Sequence, residues 1–237
     1  MVRTSMKLAG ASMLALSICS SAAVIPVDLK GVRTGPVKVQ ATPDALLITW
    51  PDETGRECGA EFSLDTSKPL ITALRVAGKK IVEGARPLYW ASTGKRRGGW
   101  DQFFDFPPSH PDGTRRFQSN LQMRTAKVTQ HGDRVEVHFD GLTIGPFMGG
   151  VSYTFFPGSR LIQQEAGVAT SEPDTAYYYD AGIQFASESD RRAGNNMDSL
   201  VSFFDTEGRL QTVQATGPER QPHSVRYRTA AARTTQG

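Results

Sequence analysis

The feature that most constrains the fold is an alternation of apolar and polar side chains in two stretches of the second half of the chain. In residues 134–139, apolar side chains at every second position alternate with Glu136 and His138. Residues 149–156 show the same period, with Val, Tyr and Phe at alternate positions. Because successive side chains of a β-strand point to opposite faces, this pattern predicts half-buried strands.

Short strand-like runs occupy most of the remaining chain. A third alternating run, residues 161–170, follows a turn at 157–159, so the three runs are expected to pair as an antiparallel meander. Further strands are predicted at residues 37–41, 45–50, 60–64, 71–76, 80–83, 176–179, 182–186, 200–204, 209–214 and 225–229. The 23 Gly and 14 Pro residues supply turns between them. Helical spacing over three turns is found in no window beyond the N-terminus, which predicts a nearly all-β chain.

The N-terminus has the pattern of a secretory signal peptide. Arg3 and Lys7 precede an apolar stretch at residues 8–18, and small residues follow up to Ala23. We expect residues 1–23 to be removed by cleavage after Ala23, which predicts a secreted or periplasmic protein. The apolar stretch is far shorter than the ~20 residues of a membrane-spanning helix, so no span is expected after cleavage.

Two alternatives to a cleaved signal peptide are a retained membrane anchor and a lipoprotein. The lipoprotein pattern fails at Ile18, because a small residue should precede the acylated cysteine, here Cys19. Cleavage after Ala23 would leave Cys58 alone, and the secreted chain would then fold without an internal disulfide.

Length and charge narrow the function classes. Residues 24–35 form a lead segment without a clear period, and residues 36–237 are expected to form a single domain. The formal net charge of +3, from 27 basic and 24 acidic side chains, is too balanced to predict a nucleic-acid partner. The chain has no phosphate-binding glycine loop, nucleophile elbow, His-Glu-x-x-His sequence or CxxC pair. We therefore expect no cofactor and no metal site built on His and Cys, although carboxylates could hold a hard cation that their spacing does not reveal. The sequence leaves the oligomeric state open.

A resemblance to a known family rests on the order of these features. The strands of residues 37–83, the sequence Arg-Pro-Leu-Tyr-Trp at 86–90 and the block at 139–162 together resemble the β-supersandwich of galactose-mutarotase-like proteins. The block is also similar to secreted bacterial proteins whose sandwich domains accompany polysaccharide-degrading enzymes. The resemblance implies an antiparallel two-sheet supersandwich with a sugar-binding concave face, as in epimerases and polysaccharide lyases.

The chain departs from this family in two respects. It lacks the Asn-His-aromatic cluster of aldose epimerases, so the resemblance transfers no catalytic histidine. Domains of this class are also longer than residues 36–237, so the resemblance implies a sheet that is incomplete at the C-terminus and leaves an unpaired strand edge.

Residues 84–121 are predicted to form a long loop that combines aromatic and charged side chains. Aromatic rings stack on the C–H faces of sugars, and Asp and Arg bind their hydroxyl groups, while cations favour uronate or sulfate groups. We expect Trp90 and Trp100 to stack on sugar rings, and Arg97 and Asp101 to hold hydroxyl or acidic substituents. The alternative is that these rings form a small core beneath the loop.

Further candidate site residues lie on the polar sides of predicted strands. His138 and Glu165 would face one side of the sheet and form a speculative acid and base pair acting on a sugar. Tyr179 and Asp180 are candidates for lining the same cleft. The alternative is an ordinary solvated sheet face.

These observations predict a carbohydrate-binding β-sandwich protein, extended by the resemblance to a lyase- or epimerase-like polysaccharide-processing enzyme. The competing hypothesis is a non-catalytic interaction domain that binds a partner protein or an envelope component through its aromatic loop.

Overall fold

The computed structural model describes residues 23–95, 115–185, 200–214 and 230–233. Within these ranges the chain is all-β and contains no helix, so none that could cross a membrane. The strands are β1 (Val27–Asp28), β2 (Lys38–Ala41), β3 (Ala45–Pro51), β4 (Glu57–Ser63), β5 (Ile71–Val76), β6 (Lys79–Lys95), β7 (Arg115–Gln118), β8 (Asn120–Leu121), β9 (Ala126–His131), β10 (Arg134–Ile144), β11 (Phe147–Phe155), β12 (Ile162–Ala169), β13 (Thr175–Phe185), β14 (Leu200–Phe204), β15 (Leu210–Gln214) and β16 (Ala230–Arg233).

The described strands form two large sheets and one small sheet. Sheet I has the order β1-β9-β10-β11-β12, with β8 also beside β10. Sheet II has the order β13-β6-β5-β4-β3-β2, with β7 also beside β6, and the small sheet has the order β15-β14-β16. Pairing is antiparallel except between β1 and β9, which run parallel. The predicted all-β class and antiparallel sheets are confirmed, and the small sheet is an addition to the two that were expected.

The predicted meander is confirmed. Strands β10, β11 and β12 are consecutive neighbours in sheet I, with Val137 opposite Tyr153 and Ser152 opposite Glu165. The alternation of burial follows the alternation of sequence, because residues 135, 137 and 139 are buried while their neighbours reach solvent.

The prediction of one loop from residue 84 to 121 is wrong at both ends. Strand β6 continues to Lys95, since residues 85–95 pair along their whole length with β13. At the other end, β7 pairs with β6 and β8 pairs with β10. Pairing partners so distant in sequence stabilise strands that no local alternation indicates. Residues 225–229 lie outside the described residues.

Sheets I and II pack face to face around one aromatic core. The ring centroid of Phe62 on β4 lies 5.0 Å from that of Tyr153 and 5.3 Å from that of Phe139, which belong to sheet I. Trp50 on β3 similarly contacts Phe155 on β11, at 4.9 Å. All five rings are buried. The described chain is therefore sandwich-like, with one face of each large sheet in the core and one in solvent.

The chain crosses from sheet II to sheet I at Ser119. Its backbone N–H donates to the Tyr89 carbonyl at 2.8 Å, and its hydroxyl accepts from the Tyr89 N–H at 2.9 Å. Nearby, β10 changes partner from β9 to β8 at Gly141, where φ is +100°. A Cβ at Gly141 would lie 1.9 Å from the Gln122 carbonyl oxygen, so this irregularity requires glycine.

A buried carboxylate joins the two large sheets at one end. Asp52 follows β3, and its fully buried side chain accepts hydrogen bonds from the backbone N–H groups of Thr54 and Arg56 at 2.8 and 2.9 Å. Arg160, from the turn after β11, places its Nε 3.1 Å from Asp52 Oδ2. Burial by itself would raise the pKa of Asp52, but the hydrogen bonds from Thr54 and Arg56 outweigh it and hold the pKa far below its usual range.

The segment from residue 23 to 28 contacts both large sheets. The Ala23 carbonyl accepts from Thr66 N–H, and Ile25 N–H donates to the Leu64 carbonyl, beside sheet II. The following residues form β1, which adds to sheet I through β9. The residues that follow the expected cleavage site therefore belong to the packed part of the chain.

Removal of the Phe62 ring should destabilise the fold more than removal of any exposed apolar side chain. We expect Phe62→Ala to lower the free energy of unfolding by about 3–5 kcal/mol, since it opens a cavity between the sheets. Leu161→Ala is the control, because 77% of Leu161 is exposed, and its change should stay within about 0.5 kcal/mol. Urea denaturation measures both, and equal losses would contradict this account of the core.

The Asp52 carboxylate should make stability depend on pH. Because its pKa is lower in the folded than in the unfolded chain, its contribution is complete above the unfolded value of about 4 and declines as the pH falls below it. We expect Asp52→Asn to lower the free energy of unfolding by about 2–3 kcal/mol at pH 7 and by clearly less at pH 3. Asp133→Asn, at an exposed position, should change little at either pH. A cost for Asp52→Asn that is equal at both pH values would exclude the carboxylate as its source.

Candidate functional site

A groove opens between the two large sheets at the side where each ends in an edge strand. Among the described strands, β12 is the last of sheet I and β13 the last of sheet II. The groove has a volume of about 340 Å³. Its lining includes Tyr89, Ile144, Phe147, Gln164, Tyr177 and Tyr179. This combination of aromatic rings, aliphatic groups and one side-chain amide is typical of a small-molecule site.

Two tyrosines of β13 form one wall of this groove. Tyr177 lies opposite Thr93 and Tyr179 opposite Ala91, so both side chains point to the core-facing side of sheet II. Because β13 is an edge strand, the rings project beyond the closed core, and 50% of Tyr177 and 64% of Tyr179 are exposed. Tyr177 also packs edge-on against Phe147 of sheet I, with ring centroids 5.2 Å apart. From the run of three tyrosines at residues 177–179, the sequence singled out Tyr179 for a binding cleft and left open which of the other rings face the core.

The polar groups of the groove include an unused acceptor. Gln164 on β12 donates from Nε2 to the Tyr89 hydroxyl at 2.9 Å and to the Gly182 carbonyl at 3.3 Å. Its Oε1 atom is buried and accepts no hydrogen bond from the part of the chain that the structure describes. Burial raises the pKa of Tyr89, which keeps that phenol protonated. The groove therefore presents a buried acceptor that a ligand hydroxyl group would satisfy.

Tyr179 and Asp180 do not line one cleft. They are neighbours in a strand, so Asp180 points to the outer face of sheet II, opposite Trp90. On that face, the Arg116 guanidinium lies 4.7 Å from the Trp90 ring centroid and 3.5 Å from Asp180 Oδ2. One face of the Trp90 indole is therefore covered by Arg116 rather than open to a sugar. The predicted partners Arg97, Trp100 and Asp101 lie outside the described residues, and their roles stay predictions.

His138 belongs to a hydrogen-bond network on the outer face of sheet I. Its Nδ1 lies 2.9 Å from Ser152 Oγ, and its Nε2 lies 3.1 Å from Asp140 Oδ1. Ser152 donates its hydroxyl proton to Glu136 at 3.0 Å, and Thr125 donates to Asp140 at 2.6 Å. The pKa of Asp140 is lowered mainly by the hydrogen bond from the Thr125 hydroxyl, and His138 lowers it further. The network thus links β10 to β11 through Ser152 and to the residue before β9 through Thr125.

The structure places His138 and Glu165 on the same face of sheet I but not in contact. Strand β11 lies between them, and Glu165 is opposite Ser152. The Glu165 carboxylate accepts a hydrogen bond from Gln163 Nε2 at 3.2 Å. Glu165 also lines the groove, whereas the His138 side chain points away from the core. Their roles as acid and base stay a prediction.

The His138 ring lies directly against Gly150. A Cβ at position 150 would lie 2.5 Å from both Cε1 and Nε2 of His138 and 2.6 Å from the Phe139 carbonyl oxygen. Glycine at this position in β11 therefore provides the space in which the imidazole reaches Ser152 and Asp140. Sequence analysis did not identify this residue, since the contact depends on pairing between β10 and β11.

Among the described residues, no group of three or more His, Cys, Asp or Glu side chains could hold a metal ion. No family model matches the chain, and a search of curated proteins finds no match either.

Replacement of Gly150 should displace the His138 ring. We expect Gly150→Ala to lower stability by about 1–3 kcal/mol and to shift the His138 ring resonances in NMR spectra, because the added methyl group needs the space of the imidazole. Gly167→Ala on β12 is the matched control, since its Cβ would meet no atom within 4 Å. Unchanged His138 resonances in Gly150→Ala would contradict the close packing described here.

Proposed function

We propose that the protein is a secreted or periplasmic carbohydrate-binding protein of galactose-mutarotase-like fold, and that the groove between β12 and β13 holds a sugar. The observation that carries the proposal is the pair of half-exposed tyrosines, Tyr177 and Tyr179, beside the unused Gln164 acceptor. The signal-peptide pattern of residues 1–23 supports the location.

The groove chemistry matches the two kinds of surface that a sugar presents. Tyrosine faces stack on the C–H side of a pyranose, while the Gln164 carbonyl accepts a hydrogen bond from a hydroxyl group. A volume of about 340 Å³ lies at the lower end of the ~300–1,000 Å³ range of ligand pockets, which favours a short sugar segment.

The charge of the groove favours a neutral sugar. Glu165 is the one charged residue among the described residues that line it. A carboxylate repels uronate and sulfate groups but accepts hydrogen bonds from hydroxyl groups. The ligand class that we propose for the groove is therefore a neutral oligosaccharide.

The proposal concerns binding rather than cleavage of a bond. A lyase- or epimerase-like reaction in this groove would have Glu165 and the tyrosine hydroxyl groups as its proton-transfer groups, because these residues line the groove and His138 does not. Product analysis of any bound oligosaccharide tests this extension.

A second candidate function, an interaction domain for a partner protein, is favoured by the same edge strands. Within the described chain, β12 and β13 each have a pairing partner on one side alone. Ile183 on β13 is 45% exposed and Met148, at the start of β11, is 68% exposed. An extended segment of a partner could add to the β13 edge and cover Ile183, while Met148 adds exposed apolar surface on sheet I.

The groove proposal predicts that Tyr179→Ala weakens the binding of neutral oligosaccharides by about tenfold or more, since a stacking face is lost. Tyr178→Ala is the matched control, because it removes the same side chain from the opposite face of the same strand. The measurement is isothermal titration of the full chain with neutral oligosaccharides selected on a glycan array.

Binding that is equal in both variants would place the sugar elsewhere. A folded protein that binds no glycan would overturn the proposal and favour the partner-binding candidate, for which size-exclusion chromatography with light scattering provides the first test.

A further inference from the structure

A second pocket lies on the outer face of sheet II and shares no lining residue with the groove. It has a volume of about 180 Å³. Its polar lining includes Ser67, Lys68, Arg86, Gln118, Asn120 and Gln184. We propose that this pocket binds an oxyanion, namely the carboxylate or sulfate group of an acidic glycan, with Arg86 as its anchor.

The pocket is held by the pairing of several strands. Arg86 on β6 lies opposite Gln184 on β13, so the two side chains stand together on the outer face. Gln118 ends β7 and Asn120 begins β8, on either side of the crossing at Ser119. The pocket therefore forms where four strands and the crossing residue Ser119 meet, which fixes the positions of its polar groups.

The turn that completes the pocket is ordered by Asp65. The Asp65 Oδ1 atom accepts hydrogen bonds from the Ser67 N–H at 2.9 Å and from the Ser67 hydroxyl at 2.7 Å. The hydrogen bonds from Ser67 lower the pKa of Asp65 below its usual value, although desolvation acts in the opposite direction. Asp65 is thus occupied by its own turn, and Lys68 is presented beside it.

The charge of the lining is positive. Among the described residues that line the pocket, Lys68 and Arg86 are charged and none is acidic. Lys68 Nζ lies 3.7 Å from Asp65 and 3.9 Å from Asp44, which partly neutralises it. Arg86 forms no ion pair or side-chain hydrogen bond within the described chain. Its guanidinium is therefore the charge that remains available to an anion.

The neutral polar groups complement this charge. The amides of Gln118, Asn120 and Gln184 have no side-chain hydrogen bond within the part of the chain that the structure describes. Each amide provides two N–H donors, and a guanidinium provides five, whereas a carboxylate or sulfate only accepts. Buried Leu70 and Met123 line the same pocket, and an apolar surrounding strengthens charge-assisted hydrogen bonds.

The carrier of the oxyanion is inferred to be a glycan, and in this respect alone the inference rests on the proposed function. The two sites then select different parts of a polysaccharide. The groove, lined by Glu165, takes a neutral segment, while the outer pocket takes an acidic substituent.

The test is isothermal titration of the full chain with trigalacturonate, with a sulfated disaccharide, with inorganic sulfate and with neutral maltotriose. We expect at least one acidic sugar to bind, and Arg86→Gln to weaken that binding by about tenfold or more. Arg134→Gln is the matched control, because it removes the same charge from an exposed position on sheet I. Tyr179→Ala should leave the acidic sugar unaffected.

The outcomes separate this inference from the proposed function. Preference for trigalacturonate identifies a carboxylate as the ligand group, and preference for the sulfated sugar identifies a sulfate. Equal losses of acidic-sugar affinity in Arg86→Gln and Arg134→Gln would overturn the proposal that this pocket binds an oxyanion. The absence of binding of any anion by a folded protein would overturn it as well. If Tyr179→Ala loses the binding of the acidic sugar and Arg86→Gln retains it, the acidic sugar binds in the groove, and the proposal of a second site is overturned.

Discussion

The packing of Phe62 against the aromatic rings of sheet I is the interaction on which the rest of this structure depends. Each large sheet has one apolar face, and neither face can be buried except by the other. Phe62 contacts Phe139, Tyr153 and Phe155, so one ring of sheet II joins two strands of sheet I. The opposite faces are then free to carry polar groups, which is why the His138 network and the Arg86 pocket are both outside the core.

Both proposed binding sites lie where this packing ends. The groove opens at the edge strands β12 and β13, where Tyr177 and Tyr179 extend beyond the last residues that the opposite sheet covers. The second pocket forms where the chain crosses from sheet II to sheet I at Ser119. Their linings differ in charge, since one contains Glu165 and the other Lys68 and Arg86. The two proposed sites therefore differ in the ligand charge that they favour, although both are built on the same core.

Local sequence predicted the strands better than it predicted the site. The alternation around His138 indicated the strand, its face and its neighbours correctly, because period two follows directly from backbone geometry. The same rule shows that Tyr179 and Asp180, as adjacent strand residues, must face opposite sides, a signal that the site hypothesis did not use. The continuation of β6 to Lys95 had no local signal, since its pairing partner lies about ninety residues away.

Composition and local pattern were sufficient to indicate the all-β class, the alternation of buried and polar faces and the candidate signal peptide, because these features depend on neighbours in the chain. Tertiary structure decided which strands lie at the edges, and therefore that Tyr177 is exposed while Tyr153 is buried. It also brought Gln164 beside Tyr89, Gly150 beneath His138 and Arg86 beside Gln184. Each of these pairs joins different strands, and strand order is set by burial of the whole core rather than by any local pattern.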